Sequence, residues 1–572
     1  MKKHSLLFLW ALLLTATVPL LGQGNDPLFS PVTKTYAIKN VNIVQKPGQL
    51  IALGTVIIKN GLIQEVGKDV KIPSDAKVIS ADSMYVYAGF IDGLSHTGIA
   101  RPEPAQGQGG GGQGRPGQAQ QTAVDVGNPP NEVAGILPER QVKDVLNPKD
   151  KSIEELRKAG FATAHVVPRG NMLPGTGAIV LLHGDSPDKM ILRNQTSFFS
   201  QLTGAGRVYP STVIGVMSKW RELYKRAEQA KAHEAMYAKN PAGMARPNTD
   251  RSLQAFYPVL EKKQPVFFAA SDLKSMHRVL VLQNELQFSL VLANIQQGWD
   301  LADMVKTKNV PVLLALELPK EKKKDEKKKD EKADLSITDK EVELLEKRRA
   351  EEMKKYTAQA GVFEKKGIEF GFSVMNAKST DIRENLRKMI ENGLSETTAL
   401  AALTTHPAKM LGLSSMMGTV EKGKIANLVI TDKSYFDEKS NVRYVFVEGN
   451  LYEYEAPPAK KPGDSAATPA KIGGTWSYSV SVEGQTMEGS IEISQEGTVL
   501  SGAVSNPLTG QVAKISNPQL SGNRLIFNVT FEIDGGMVTV EYDLKIDGDT
   551  FDGLIDAGSN GSFAIEGTRK PK

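Results

Sequence analysis

Residues 88–96 constrain the fold and the chemistry of this chain more than any other segment. They read Ala-Gly-Phe-Ile-Asp-Gly-Leu-Ser-His, an apolar strand followed by a polar end. Two histidines placed two residues apart at such a strand end point to the same side and can hold one metal ion. His96 stands at the second of these positions, whereas Leu94 stands at the first. The segment therefore predicts a strand end with one histidine where a metal site needs two.

The length and charge of the chain limit its class. Its 572 residues exceed the roughly 250–300 at which a single core stops growing, so two or three domains are expected. The net charge is only +5, and no basic stripe is interleaved with aromatic residues. A nucleic-acid partner is therefore not indicated. Because the chain has no cysteine, disulfides and thiolate catalysis are excluded.

The first 22 residues have the pattern of a secretory signal peptide. Lys2 and Lys3 are followed by an apolar run over 6–21 and by the small residue Gly22. The alternative is a transmembrane anchor, but the run is shorter than the roughly 20 residues that a spanning helix prefers. We therefore expect a periplasmic or secreted protein, with no transmembrane segment after signal cleavage.

The order of motifs along the chain resembles the amidohydrolase superfamily. A hairpin pattern over 55–67, with Asn60-Gly61 at its turn, precedes the strand that contains Gly89-Phe90-Ile91-Asp92. About three hundred residues later, Gly393-Leu394-Ser395 leads through 399–413 into Gly418-Thr419-Val420 and the run 421–430. The pair of signatures is similar to the secreted branch of the family that includes imidazolonepropionase-like and prolidase-like hydrolases.

The resemblance implies an α/β fold built on a (β/α)8 TIM-like barrel over residues 89–404, with inserts at 101–131 and 319–356. A composite β-sandwich is expected from the two ends of this domain, residues 30–88 and 405–455. After a linker over 456–473, alternating apolar residues predict a C-terminal all-β barrel or sandwich over 474–572. Its interior is either packed, or open to an apolar ligand, or used to dock a partner.

The resemblance also implies a set of metal ligands that this chain does not reproduce. The family has two histidines after the first strand, a lysine or other bridging group midway, one histidine after each of two later strands and an aspartate after the last. The positions after the first strand are Leu94 and His96, and the later ones are Ala269, Asn294 and Met375 or Asn376. His96 is the sole remnant. Since catalytic zinc takes three protein ligands and a water, we expect no cofactor, with zinc as the alternative.

Two other features bear on the site. His165 lies on an early strand that can approach His96, so a rebuilt metal site of His96, His165 and Asp92 is an alternative, although a packed, hydrogen-bonded histidine is the commoner case. The glycine-rich loop at 168–177 lacks the ending of a phosphate-binding loop and precedes a β-type run at 178–182. It predicts a turn at the barrel mouth, with Arg169 as a possible anion contact.

Two functions of different class follow from these patterns. The first is an exported, non-catalytic binding or partner protein, which pairs with a homologous amidohydrolase subunit or with a second copy of itself. The second is a working metal-dependent hydrolase of carbon–nitrogen bonds in non-peptide or dipeptide amides, by family resemblance. The missing ligands favour the first, because fold alone does not fix function.

Overall fold

Three β-sheets carry the fold in the residues that the computed structural model describes. These are residues 34–101, 125–319, 339–455 and, between 472 and 570, all but 483–484, 498, 508, 522, 534–535 and 557–561. The predicted signal peptide lies outside this range, as do parts of the two predicted inserts and of the predicted linker. The chain divides into one unit of residues 1–456 and another of residues 457–572.

The first sheet is built from both ends of the first unit. Its early strands are β1 (Thr35–Lys46), β2 (Gln49–Lys59), β3 (Leu62–Gly67), β4 (Lys77–Ser80) and β5 (Tyr85–Ala88). Asn60 and Gly61 both have positive φ between β2 and β3, which confirms the predicted hairpin turn. β5 pairs antiparallel with a strand more than three hundred residues later, so that Ala88 faces Leu428. The composite arrangement expected from the resemblance is therefore present.

The second sheet is a nearly closed barrel of eight strands that lie side by side in chain order. The barrel strands are β6 (Phe90–Ser95), β7 (Phe161–Val166), β8 (Gly175–Leu181), β9 (Ile191–Gln201), β10 (Val266–Ala269), β11 (Leu290–Ile295), β12 (Val312–Ala315) and β13 (Phe370–Ser373). The last strand meets the first where the Ser373 hydroxyl donates to the Leu94 carbonyl, 2.8 Å away. The predicted eight-stranded barrel is confirmed.

One strand of this barrel runs against the others. β8 is antiparallel to both β7 and β9, whereas β6 with β7 and the run from β9 to β13 pair in parallel. Antiparallel neighbours can be joined by short loops, while parallel neighbours need a crossover. The chain therefore passes from β7 to β9 without a long crossover helix: no helix lies in the described stretch between β7 and β8, and the four-residue helix at Pro187–Met190 lies between β8 and β9. The carboxyl ends of the seven codirectional strands still share one mouth.

Helices connect and cover the strands. They are α1 (Asn131–Ala134), α2 (Lys151–Lys158), α3 (Pro187–Met190), α4 (Val213–Lys239), α5 (Arg251–Gln254), α6 (Tyr257–Leu260), α7 (Leu273–Leu286), α8 (Ala302–Lys308), α9 (Asp339–Lys365), α10 (Ile382–Glu391), α11 (Glu396–Leu403) and α12 (Thr405–Met410). Before β7, α2 begins where Asp150 accepts from the Ser152 amide and is followed by Gly160 at φ +98°. Within the described ranges, no helix is both long enough and apolar enough to cross a bilayer.

The first sheet is completed by β14 (Leu428–Thr431), β15 (Val442–Val447) and β16 (Asn450–Glu453). The second unit is a closed antiparallel barrel. Its strands are β17 (Gly474–Val482), β18 (Gln485–Glu496), β19 (Val499–Ser505), β20 (Val512–Ser521), β21 (Arg524–Ile533), β22 (Gly536–Asp547), β23 (Thr550–Asp556) and β24 (Ser562–Arg569). Leu525, Phe527, Val529 and Phe531 are buried, as the alternation along β21 predicts.

Candidate functional site

Asp92 lies in the middle of β6 and is fully buried. Its Oδ1 accepts hydrogen bonds of 3.1 Å from the amides of Leu94 and Val374, so it connects the first and last strands of the barrel. Its Oδ2 has no hydrogen-bond partner among the described residues. Burial raises the pKa of Asp92 to about 7, against the lowering effect of hydrogen bonds to its carboxylate.

Leu94 belongs to an apolar cluster inside the barrel rather than to a polar site. The cluster, which we call the lumen cluster, consists of Leu94, Val167, Phe199, Phe267, Val291, Ala293 and Leu313. Packing beside it is close, since a Cβ added to Gly93 would lie 2.4 Å from the Leu313 Cδ2 and 2.7 Å from the Phe372 carbonyl oxygen. The first histidine position of the metal motif is therefore replaced by a residue of a well-packed core.

His96 follows β6 at the mouth, and one of its two ring nitrogens has no hydrogen-bond partner in the described residues. Its Nδ1 lies 2.8 Å from the Val167 carbonyl and so donates to it, which leaves Nε2 as the acceptor. The ring packs edge-on against Phe199. Burial lowers the pKa of His96 to about 4, with a smaller lowering by the charge of Arg169. His96 is therefore a neutral imidazole at physiological pH.

His165 is fully buried in β7 and uses both of its ring nitrogens. Nδ1 donates to the Gly93 carbonyl at 2.9 Å, and Nε2 accepts from the Ser197 hydroxyl at 2.9 Å. The ring also packs edge-on against Phe267, with 4.5 Å between centroids. Burial lowers the pKa of His165 to about 4. A neutral histidine with both nitrogens occupied connects β6, β7 and β9 and has no lone pair left for a metal.

The rebuilt site of His96, His165 and Asp92 is therefore not formed. Within the ranges the structure describes, no three His, Cys, Asp or Glu side chains converge in a way that could hold a metal ion. One oxygen of Asp92 accepts hydrogen bonds from two backbone amides. Its raised pKa also disfavours the charged carboxylate that a metal would need.

The remaining ligand positions carry no strong donor. Ala269 and Met375 pack against the lumen cluster, and Asn376 is exposed. Asn294 has φ of +55°, and its Oδ1 lies 3.3 Å from the Ser373 hydroxyl. Alanine thus stands at the predicted ligand position of β10, and methionine or an exposed asparagine stands at that of β13. The β11 position holds a neutral amide that contacts a serine.

The glycine-rich loop joins β7 to β8 at the mouth, as its pattern predicts. Arg140 organises it by donating to the Pro174 carbonyl at 2.8 Å and to the Arg169 carbonyl. Arg169 in turn donates through Nε to the Ile99 carbonyl at 3.2 Å. Burial lowers the pKa of Arg169, as does the nearby charge of Arg101. Both arginines donate hydrogen bonds to backbone carbonyls at the mouth. An anion contact by Arg169 stays a prediction.

The sequence patterns did not indicate two serines that hold this site together. Ser197 completes the hydrogen bonds of His165, and Ser373 bridges β13 to β6. A serine within a strand is common and carries no spacing signal. Only the alignment of β7 with β9 across the reversed β8 brings Ser197 to the imidazole.

The first unit combines a β/α barrel with a sheet built from both of its ends. Known proteins share this architecture. Residues 327–452 match the family described as "Amidohydrolase family". The structure is similar to that of an amidohydrolase from Thermotoga maritima, with TM-score 0.57, 18% identity, and coverage of 73% of this chain and 100% of that one. The chain thus has the amidohydrolase fold, which confirms the resemblance predicted from its motifs.

Further matches include a prolidase complexed with N-methylphosphonate-L-proline, at TM-score 0.42 and 15% identity, covering 74% of this chain and 100% of that one. A Xaa-Pro dipeptidase with bound methionine matches at TM-score 0.40 and 15% identity, covering 73% of this chain and 100% of that one. Among curated proteins, none matches the sequence significantly.

The residues present do not fit the divalent metal that the family resemblance implies. Leu94 is part of the lumen cluster, both nitrogens of His165 are occupied, and Ala269 has no donor atom. Among the described residues, what remains is one nitrogen of His96 and the Asp92 oxygen that has no hydrogen-bond partner. Two donors are fewer than the three protein ligands of a catalytic zinc site.

Proposed function

We propose that this protein is an exported, non-catalytic binding or partner protein that keeps the amidohydrolase barrel as a structural scaffold. The observation that carries the proposal is the lumen cluster, which places apolar side chains where the family's reaction needs a metal-bound hydroxide. A carbon–nitrogen hydrolysis of that type requires a water whose pKa falls from about 15.7 to about 7. Without three ligands, the barrel has no means to hold such an ion firmly.

The proposed partner is a homologous amidohydrolase subunit or a second copy of this chain. The ionisable residues of the barrel mouth support a scaffold role, because Asp92, His165 and Arg140 each form a hydrogen bond with the backbone of a neighbouring strand or loop. Groups used in this way stabilise a fixed shape rather than move protons. We further propose a periplasmic or secreted location, on the basis of the signal-like pattern over residues 1–22.

Metal analysis of the purified full-length protein tests the proposal. The protein is incubated with zinc, manganese or cobalt, dialysed, and its metal content measured by mass spectrometry beside a His96→Ala variant. We expect both proteins to retain well below one ion per chain. Near-stoichiometric zinc that is lost in His96→Ala would contradict the proposal. It would favour the hydrolase instead.

The alternative, a metal-dependent hydrolase of carbon–nitrogen bonds, is favoured by one observation. Asp92 Oδ2 is buried without a hydrogen-bond partner in the described residues, and an atom of this kind can indicate an absent ligand. Hydrolysis of a panel of N-acyl amino acids and dipeptides, stimulated by zinc and abolished in Asp92→Ala, would support this alternative.

The partner is identified separately. Tagged protein is isolated from its native envelope fraction, and the proteins bound to it are identified by mass spectrometry. Light scattering of the purified protein measures whether it forms a dimer. Recovery of a homologous hydrolase or a stable dimer supports the proposal. A monomer that recovers neither would contradict the partner role, and a cytoplasmic location in cell fractionation would contradict the export.

A further inference from the structure

The end of the barrel opposite the mouth contains a cavity of about 810 Å³. It is bordered by the residues that enter the parallel strands β10 to β13, including Pro265, Ser289, Pro311 and Ile368, and by α12. Binding sites of β/α barrels lie at the carboxyl ends of the strands. This cavity therefore lies at the other face and is separate from the positions of the family's metal ligands.

The cavity has the mixed lining of a small-molecule site. Apolar side chains from strand starts and from α8 and α12 form part of its wall, among them Leu290, Val305, Ile368 and Met410. Sites of about 300–1,000 Å³ that combine an apolar wall with a few polar groups are typical for small organic ligands. The volume is thus sufficient for an aromatic ring system with a short polar chain.

The charges that border the cavity are mainly positive. Lys409 forms a 2.6 Å ion pair with Glu369, and both line the cavity. Lys306, from the last turn of α8, lines it as well and has no carboxylate partner in the described part of the chain. Since the single acidic group is already paired, the remaining positive charge favours a ligand with an anionic group.

His406 adds a directional polar group. Its Nδ1 lies 2.9 Å from the Phe370 carbonyl and donates to it. In the neutral ring this fixes the tautomer, so that Nε2 is an acceptor. No partner for Nε2 is present within the described ranges, and His406 lines the cavity. A ligand that donates one hydrogen bond from an N–H or O–H group complements this nitrogen.

We propose that the cavity at the amino-terminal ends of β10 to β13 binds a small organic carboxylate with an apolar ring body and one hydrogen-bond donor. Lys306 contacts the carboxylate, the apolar wall covers the ring, and His406 Nε2 accepts from the donor. The assignment concerns the face opposite the mouth. It therefore holds whether or not the barrel mouth hydrolyses an amide.

Calorimetric titration of the full-length protein with four related probes tests the ligand class. Indole-3-acetate has all three features, indole-3-acetamide lacks the charge, tryptamine reverses it, and naphthalene-1-acetate lacks the N–H donor. We expect saturable binding of indole-3-acetate, binding several-fold weaker for naphthalene-1-acetate, and binding at least about tenfold weaker for tryptamine. Absence of binding at millimolar indole-3-acetate, or equal affinity for tryptamine, would overturn the proposal.

Matched variants locate the binding. Lys306→Glu should weaken indole-3-acetate binding by about fivefold, because it places a like charge beside the carboxylate. Lys308→Glu is the control, since Lys308 ends the same helix but does not line the cavity. Equal losses in the two variants would show only a general charge effect and would refute the site.

A second pair of variants tests the hydrogen bond. His406→Gln and His406→Phe should reduce the preference for indole-3-acetate over naphthalene-1-acetate, with His406→Phe removing it. Circular dichroism and thermal unfolding confirm that each variant is folded. If the preference persists in a folded His406→Phe protein, His406 does not contact the ligand and the proposed site is wrong.

Discussion

The two ends of the β/α barrel differ in how their polar groups are used. At the carboxyl-terminal mouth, the histidine of β7 has both nitrogens in hydrogen bonds, and the interior beneath is filled by the lumen cluster. At the amino-terminal face, His406 uses one nitrogen, Lys306 has no carboxylate partner in the described residues, and a cavity of about 810 Å³ lies beside them.

This difference indicates that the fold alone does not determine where a barrel binds its ligand. Buried polar groups that satisfy one another stabilise a shape, whereas polar groups with unused capacity beside a cavity can recognise a ligand. The mouth keeps two unused groups in the described residues, His96 Nε2 and Asp92 Oδ2, but the lumen cluster fills the interior beside them, so we propose that the mouth is the structural end of the barrel. The opposite face, which in such barrels contributes to stability, is the end that we propose to bind a ligand.

The strongest test of this contrast is to restore the missing ligand with Leu94→His. An imidazole in the lumen cluster would be desolvated among Phe199, Phe267 and Leu313, so we expect a loss of about 3 kcal/mol or more in the free energy of unfolding. Zinc should not recover the loss, because Asp92, the third donor beside the two histidines, accepts hydrogen bonds from two backbone amides and has a pKa raised to about 7, which opposes metal binding. Urea unfolding with and without zinc measures both effects.

Leu94→Met is the matched control for this experiment. It keeps the volume and apolar character of the side chain and should cost less than about 1.5 kcal/mol. A Leu94→His protein that is as stable as wild type, and is further stabilised by zinc, would show that the mouth is a metal site lacking one residue.

The second prediction concerns the pH dependence of stability. The pKa of Asp92 is raised to about 7, so its contribution is fully present below its ordinary pKa and is lost as the pH rises through about 7. His96 and His165 have pKa values lowered to about 4, so their contribution is present above their ordinary pKa and is lost as the pH falls towards about 4. The carboxyl and the imidazoles therefore oppose each other between these limits.

Asp92→Asn removes the opposing carboxyl. Between about pH 6 and pH 4.5, we expect stability to fall more steeply with acid than in wild type, by about 1.4 kcal/mol per pH unit, which corresponds to one more proton. Chemical unfolding at a series of pH values measures the slope. An unchanged slope would mean that the Asp92 carboxyl is charged in the native protein, as a metal ligand would be.

A smaller effect is expected from Ser197→Ala. Loss of the hydroxyl leaves His165 Nε2 buried without a donor, which costs about 1–3 kcal/mol. Thr196→Val is the adjacent control, because the Thr196 hydroxyl is buried and has no partner among the described residues. We expect that variant to unfold at or above the wild-type temperature. Equal losses in the two variants would contradict the hydrogen-bond network.

The barrel and the composite sheet were expected from the resemblance to a known family, and local patterns supported that expectation at particular positions. Asn60-Gly61 specifies its turn by positive φ, and the apolar run after Gly89 marks the first barrel strand. The reversal of β8 and the pairing of His165 with Ser197 depend on which strands lie side by side, which no local spacing encodes. The cavity beside His406 is formed by four strand starts that are far apart in the sequence, so it could not be predicted either.

The smallest expected effect separates folding from binding at the amino-terminal face. The Lys409–Glu369 pair is 2.6 Å long, but its side chains are 68% and 58% exposed, so solvent screens it. Exposed pairs of this kind contribute about 0–1 kcal/mol, and Lys409→Gln should leave the free energy of unfolding nearly unchanged. The same variant should weaken binding of indole-3-acetate, because it removes one of the two lysines that line the cavity and leaves the Glu369 charge unpaired. A stability loss of several kcal/mol, with unchanged binding, would instead make this face structural and would remove the contrast between the two ends of the barrel.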